Sequence, residues 1–137
     1  MFERLESRRA DVGIGGRPPG RSLAGYPFLP NELVVVGREV PADLARTPWL
    51  LREEGSGTRL ATERLLSDLD LGSAELGSPE LLTLGSNGAI KQGLAVGLGV
   101  TLISRFAVAR ELRDGLLVEI GVPGTPLTRP WHLLFPP

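Results

Sequence analysis

The chain has no cysteine, a single histidine and a net charge of only −1. Each shortage excludes something. Without cysteine there is no disulfide, no thiolate nucleophile and no cysteine-based metal site. The lone His132 lies in a strand-like segment between Trp131 and Leu133, with no second histidine to share a metal. It is read as a packed or edge-strand imidazole. No nucleophile–base pair can be assembled around it, so no catalysis, metal or cofactor is expected. The 15 basic and 16 acidic residues leave no basic face for phosphate backbones, so no direct nucleic-acid contact by this chain is expected. No apolar stretch reaches the length of a membrane helix. Met1-Phe2-Glu3-Arg4-Leu5-Glu6 carries charge where a secretion signal needs an apolar core. The expected setting is cytoplasmic, with no membrane contact.

What is present is one domain's worth of chain, 137 residues, punctuated by 18 glycines and 12 prolines. Met1 to Arg9 reads as the tail of a short amphipathic helix. Ala10 to Gly16 reads as a strand ending in a glycine turn, and Arg17 to Pro30 as a loop. Glu32-Leu33-Val34-Val35-Val36-Gly37 is a β-branched run, apolar without alternation, the pattern of a strand buried on both faces. Pro41 to Ala45 predicts a helical turn, and Trp49 to Arg52 a strand. Thr58 to Leu69 predicts a helix with the apolar stripe Ala61, Leu65 and Leu69. A strand follows at Leu81 to Leu84. Ser86-Asn87 then opens a helix through Val96 that Gly97 closes, with Ile90, Leu94 and Leu98 as its apolar contacts and Gly93 permitting close packing. Val100 to Ile103 predicts a strand, Phe106 to Leu112 a helix, and Leu116 to Ile120 and Trp131 to Phe135 two more strands. Strands alternating with helices from Leu33 to Ile120 predict an α/β fold with a mostly parallel sheet.

Candidate chemistry concentrates at Arg52-Glu53-Glu54-Gly55-Ser56-Gly57-Thr58-Arg59, where a strand runs through a small-residue loop into a helix. Such a loop caps the helix, and its first-turn N–H groups can hold an anion; one hydroxyl can do the first while free amides do the second. It is not a nucleotide-hydrolysing phosphate loop, because Arg59 follows Thr58 where that motif needs Gly-Lys-Ser/Thr. Gly13-Ile14-Gly15-Gly16 is not a dinucleotide fingerprint either, since Pro18 and Pro19 stand where the helix should begin. Glu53 and Glu54 are adjacent and point apart, so they suit solvent or the neighbouring Arg52 and Arg59 better than joint acid–base work. Arg59 reads either as a local ion-pair partner or as a clamp for a carboxylate. A second small-residue helix start stands at Ser86-Asn87. Both lie where ligands bind in α/β sheets, beyond strand carboxyl ends.

Five segments in order resemble the effector-binding domain of LysR-type transcriptional regulators. They are Ala10-Asp11-Val12-Gly13-Ile14-Gly15, Leu33 to Val36, Arg52 to Arg59, Gly85-Ser86-Asn87-Gly88-Ala89-Ile90-Lys91 with Gly97 to Ser104, and Pro126 to His132. The resemblance implies a periplasmic-binding-protein-like (type 2) fold with a small effector in a cleft between two lobes. It implies residues 1–36 as a remnant of the first lobe with the crossing strand, 37–120 as the second lobe, and 121–137 as the return segment. The family's helix-turn-helix and the start of the first lobe find no match here. An incomplete lobe exposes sheet edges and apolar faces, which predicts a homo-oligomer. The implied function is effector sensing in a transcriptional regulator. The expected contacts are Gly37, Ser56, Gly57, Thr58, Ser86 and Asn87, and two helix N-termini facing one cleft favour a small anion. A solute-binding protein of a transporter shares the fold and stands as the alternative.

Overall fold

The run Leu33-Val34-Val35-Val36 sets the plan of the molecule. In the computed structural model, which describes residues 13–15, 24–71 and 79–135, these side chains are 0–5% exposed. They alternate between two cores, as neighbours on a strand must. Leu33 and Val35 join Trp49, Leu51, Val100, Leu102 and Ile120 on one face, and Val34 and Val36 join Leu50 and Ile103 on the other. Burying one such aliphatic side chain stabilises the fold by about 1.5–3 kcal/mol.

The strands are β1 (Gly13–Gly15), β2 (Ala24–Leu29), β3 (Glu32–Gly37), β4 (Trp49–Leu51), β5 (Leu81–Thr83), β6 (Val100–Ser104), β7 (Val118–Ile120), β8 (Leu127–Thr128) and β9 (Trp131–Phe135). The α-helices are α1 (Gly57–Asp68), α2 (Asn87–Ala95) and α3 (Ala109–Arg113). Two compact units result. The larger, Leu33–Leu127, holds a sheet ordered β5-β4-β6-β3-β7, with β8 beside β3. β4 is parallel to β5 and β6, while β3 is antiparallel to β6 and β7. So β5, β4, β6 and β7 share one direction and β3 alone opposes them. In the smaller unit β9 lies between β1 and β2, antiparallel to both. Asn31 and Arg129 also join there: the Asn31 side-chain amide donates to the Arg129 carbonyl at 3.0 Å, and the Arg129 N–H donates to the Asn31 carbonyl at 2.8 Å.

Helices cover both faces of the larger sheet. α1 buries Ala61, Thr62, Leu65 and Leu66 against the first core. Thr62 is tolerated there because its hydroxyl donates to the Thr58 carbonyl at 2.7 Å. α2 buries Ile90, Gly93 and Leu94 against the second. Its end is a Schellman motif: Gly97 takes φ +81°, its N–H donates to the Leu94 carbonyl, and the Leu98 N–H donates to the Gly93 carbonyl. A Cβ on Gly93 would lie 2.9 Å from Leu50 Cδ1, so the expected close packing of this helix is present. No helix among the described residues is long and apolar enough to cross a membrane.

Several expectations change. Ala24–Leu29 is a strand, not part of a loop. Leu98 is 49% exposed and folds over the helix end instead of entering the core. The expected helix from Phe106 begins as a 3-10 turn, Arg105–Val108, before α3, and β7 starts at Val118, leaving Leu116 exposed. The helix expected at Met1 to Arg9 lies outside the described residues, as do the start of the first expected strand and the side-chain surroundings of His132.

Candidate functional site

β4 and β5 lie side by side in parallel, with Leu51 opposite Thr83. The loops leaving their carboxyl ends are therefore neighbours. The Leu84 N–H donates to the Leu51 carbonyl at 2.7 Å, carrying the pairing one residue beyond β5. The chain crosses from β4 to β5 on one side, then from β5 to β6 on the other side of β4. That reversal is the switch point where α/β sheets open a crevice.

Both loops end in a capped helix. Ser56 Oγ accepts the Arg59 N–H at 3.4 Å and Ser86 Oγ accepts the Ala89 N–H at 3.1 Å. The second is an ordinary cap and the first is long and weak. Gly57 and Thr58 open α1, and Asn87 opens α2. Their amides have no carbonyl four residues back within their helices, so they are the groups an anion would use.

Arginine side chains bind the two starts together. Arg52, one residue past β4, directs Nε and Nη2 at the two Glu53 oxygens at 3.0 and 2.9 Å, and Nη1 at Asn87 Oδ1 at 3.0 Å. The carboxylate holds this guanidinium above its ordinary range, and the guanidinium holds Glu53 below the usual carboxylate value. Arg59, in the first turn of α1, donates from Nε to Glu63 at 2.7 Å. Its Nη1 reaches the Arg52 carbonyl at 2.9 Å and Thr83 Oγ1 at 3.0 Å.

Five of the six expected site residues, Ser56, Gly57, Thr58, Ser86 and Asn87, thus sit on two adjoining helix starts. Gly37 does not join them. It closes β3, paired with Val100 and Val118 at the beginnings of β6 and β7. Because β3 runs against the other strands, Gly37 lies level with the start of β4, about 10 Å of strand rise from the carboxyl ends. A Cβ there would meet Val100 Cγ1 at 3.0 Å and Ile120 Cδ1 at 3.3 Å, so the glycine serves packing. The carboxylate-clamp reading of Arg59 gives way to local pairing with Glu63. Sequence reasoning placed Arg52 beside Glu53 but missed its reach to Asn87, and it missed Thr83 altogether. Nothing local marks these two contacts, since the partners lie 35 and 24 residues away.

A family model described as the LysR substrate binding domain matches residues 1–137. The chain is 35% identical over 147 residues to the RuBisCO operon transcriptional regulator of Acidithiobacillus ferrooxidans, covering 99% of this chain and 46% of that protein. It is 32% identical to the HTH-type transcriptional activator CmpR of Synechocystis sp., covering 98% and 46%. It spans about half the length of the curated relatives it matches. The regulatory domain of Synechocystis PCC6803 CcmR, solved in complex with 2-PG, aligns at a TM-score of 0.80 and 29% identity, over 98% of this chain and 67% of that one. The effector binding domain of QuiR, solved with shikimate, aligns at 0.77 and 16%, over 98% and 66%, a likeness of fold alone. The curated relatives are transcriptional regulators and not enzymes. On this match over its full length, the chain belongs to the LysR family of transcriptional regulators, as its substrate-binding, or effector-binding, domain.

Proposed function

We propose that this chain senses a small anionic effector at the paired helix starts Ser56-Gly57-Thr58 and Ser86-Asn87. In the intact regulator, occupancy would change how two lobes are held and so how DNA is engaged. The observation that carries the reading is the meeting of two helix N-termini at the carboxyl ends of adjacent parallel strands. Each terminus bears about half a positive charge from its aligned peptides. Ser56 is the more available hydroxyl, because its capping bond is the longer of the two. The relative solved with 2-PG supports a small molecule as the ligand class. The ligand can shift lobe positions only through unequal affinity for two arrangements. On this reading the intact regulator works on DNA in the cytoplasm, with copies paired through this domain.

Calorimetric titration of the chain with 2-PG tests the reading, with light scattering on the same samples to report association. Ser56→Ala combined with Thr58→Ala is expected to weaken binding about tenfold or more, the cost of one or two lost charge-assisted hydrogen bonds, while the melting curve stays cooperative. Undiminished binding by the double variant would remove these residues from the site. A monodisperse monomer well above micromolar concentration would remove the association.

A further inference from the structure

We infer that Arg59 and Arg52 are positioning residues that lock the two helix starts into one platform through the planar fork of their guanidinium groups. They are not charges offered to the effector. The inference rests on the proposed seating of an anion at Ser56–Thr58 and Ser86–Asn87.

The bonding pattern carries it. Arg59 is only 14% exposed at its side chain, and its Nε and Nη1 are committed to protein acceptors. One edge is held by Glu63 within α1. Nη1 then closes the 53–58 loop onto the Arg52 carbonyl and reaches the Thr83 hydroxyl on β5. A side chain in the first turn of α1 therefore fastens both its own approach loop and the neighbouring strand. Arg52 continues the chain of bonds. Two donors are committed to Glu53, and Nη1 crosses to the first residue of α2. Backbone pairing of β4 with β5 ends at Leu84, so beyond that point these side chains hold the loops together.

Charge bookkeeping agrees. Arg52 is paired with Glu53, and Arg59 with Glu63. The four groups sum to zero, so the net attraction for an anion is left to the helix amides. What the arginines add is geometry. A lysine keeps the charge but is a single compact ammonium, unable to span a carboxylate, a carbonyl and a hydroxyl in one plane.

That contrast provides the test. The full 137-residue chain is compared with Arg59→Lys, Arg59→Gln, Arg52→Lys and Thr83→Val. Hydrogen exchange is followed at the Leu60 and Ile90 amides, which make the first intrahelical bonds of α1 and α2. Calorimetry with inorganic phosphate reports anion uptake. Arg59→Lys and Arg59→Gln are expected to weaken phosphate binding alike, by about tenfold, within the usual range for coupling between sites. Thr83→Val, which leaves every charge in place, is expected to speed exchange at Leu60, and Arg52→Lys to speed it at Ile90. Phosphate binding restored by lysine and lost with glutamine would overturn the proposal in favour of a charge role. Unchanged exchange at Leu60 in Thr83→Val would overturn it as well. If the unaltered chain takes up no phosphate, the seating of the anion fails, and the exchange rates still decide whether the arginines tie the loops.

Discussion

Replacing Gly99 with alanine is expected to destabilise this protein far more than an exposed glycine-to-alanine change would. A Cβ at position 99 would stand 2.2 Å from the Pro48 carbonyl oxygen and 2.8 Å from its carbon, against 3.4–4 Å for ordinary contact. The obstacle is backbone, so no rotamer change relieves it. Residue 99 and Pro48 would have to separate by more than about 1 Å, the shortfall from ordinary contact. That same carbonyl accepts the Val100 N–H at 2.9 Å, next to the point where β4 and β6 pair. Losing the bond costs about 1 kcal/mol, and more if the carbonyl stays buried without a partner. Local repacking adds about 1–3 kcal/mol. The stiffer unfolded chain returns about 0.4–1 kcal/mol. The net expectation is a loss of about 1–4 kcal/mol, out of about 5–15 kcal/mol in total for a domain. Tm should fall by about 4–16 °C, at roughly 4 °C per kcal/mol for a chain of this size. Urea unfolding followed by circular dichroism measures this, with Gly88→Ala in α2 as control. There the new methyl group would meet only Ser86 Oγ, at 3.8 Å, and helix propensity predicts a gain of up to about 1 kcal/mol. If Gly99→Ala stayed within about 0.5 kcal/mol of the unaltered chain, the close approach of the two backbones would be refuted.

Two further outcomes are expected. The Lys91 ammonium, 2.8 Å from Glu111, holds that carboxyl below its usual range. A lowered folded pKa means the pair's stabilisation is complete above the ordinary carboxylate value and is lost as pH falls through the lowered one. The urea midpoints of the unaltered chain and Glu111→Gln should therefore converge between about pH 5 and pH 3; a constant gap would assign the difference to something other than ionisation. Ser86→Ala should cost about 1 kcal/mol and Ser56→Ala less, because their capping bonds measure 3.1 and 3.4 Å. Equal losses in chemical denaturation would show that the long Ser56 cap is as strong as the short one.

Most strands and helices were legible because their signals are local. A β-branched run between turns, a serine before a helical stripe and a glycine at a helix end each act within a few residues. Ala24–Leu29 was the longest strand to escape. It contains Gly25 and Pro27, both read as loop punctuation. β2 lies at the edge of its small sheet and its register with β9 shifts between Pro27 and Leu29, the kind of position that tolerates a residue without an N–H. Leu98, just past the glycine cap, does lie against Gly93 of the helix, but at 49% exposure it covers the helix end and does not enter the core.

By itself, then, the sequence determined the two helix starts, the twice-buried strand at Leu33–Val36 and the family to which the chain belongs. These rest on capping, burial period and ordered motifs, which need no knowledge of distant neighbours. Tertiary structure alone decided how they meet. It ran β3 against the parallel strands and so carried Gly37 to the far end of the sheet from Ser56 and Ser86. It set Pro48 against Gly99. It also brought Arg52 to Asn87 across 35 residues and Arg59 to Thr83 across 24, because parallel pairing of β4 and β5 places their exits side by side however long the chain between them.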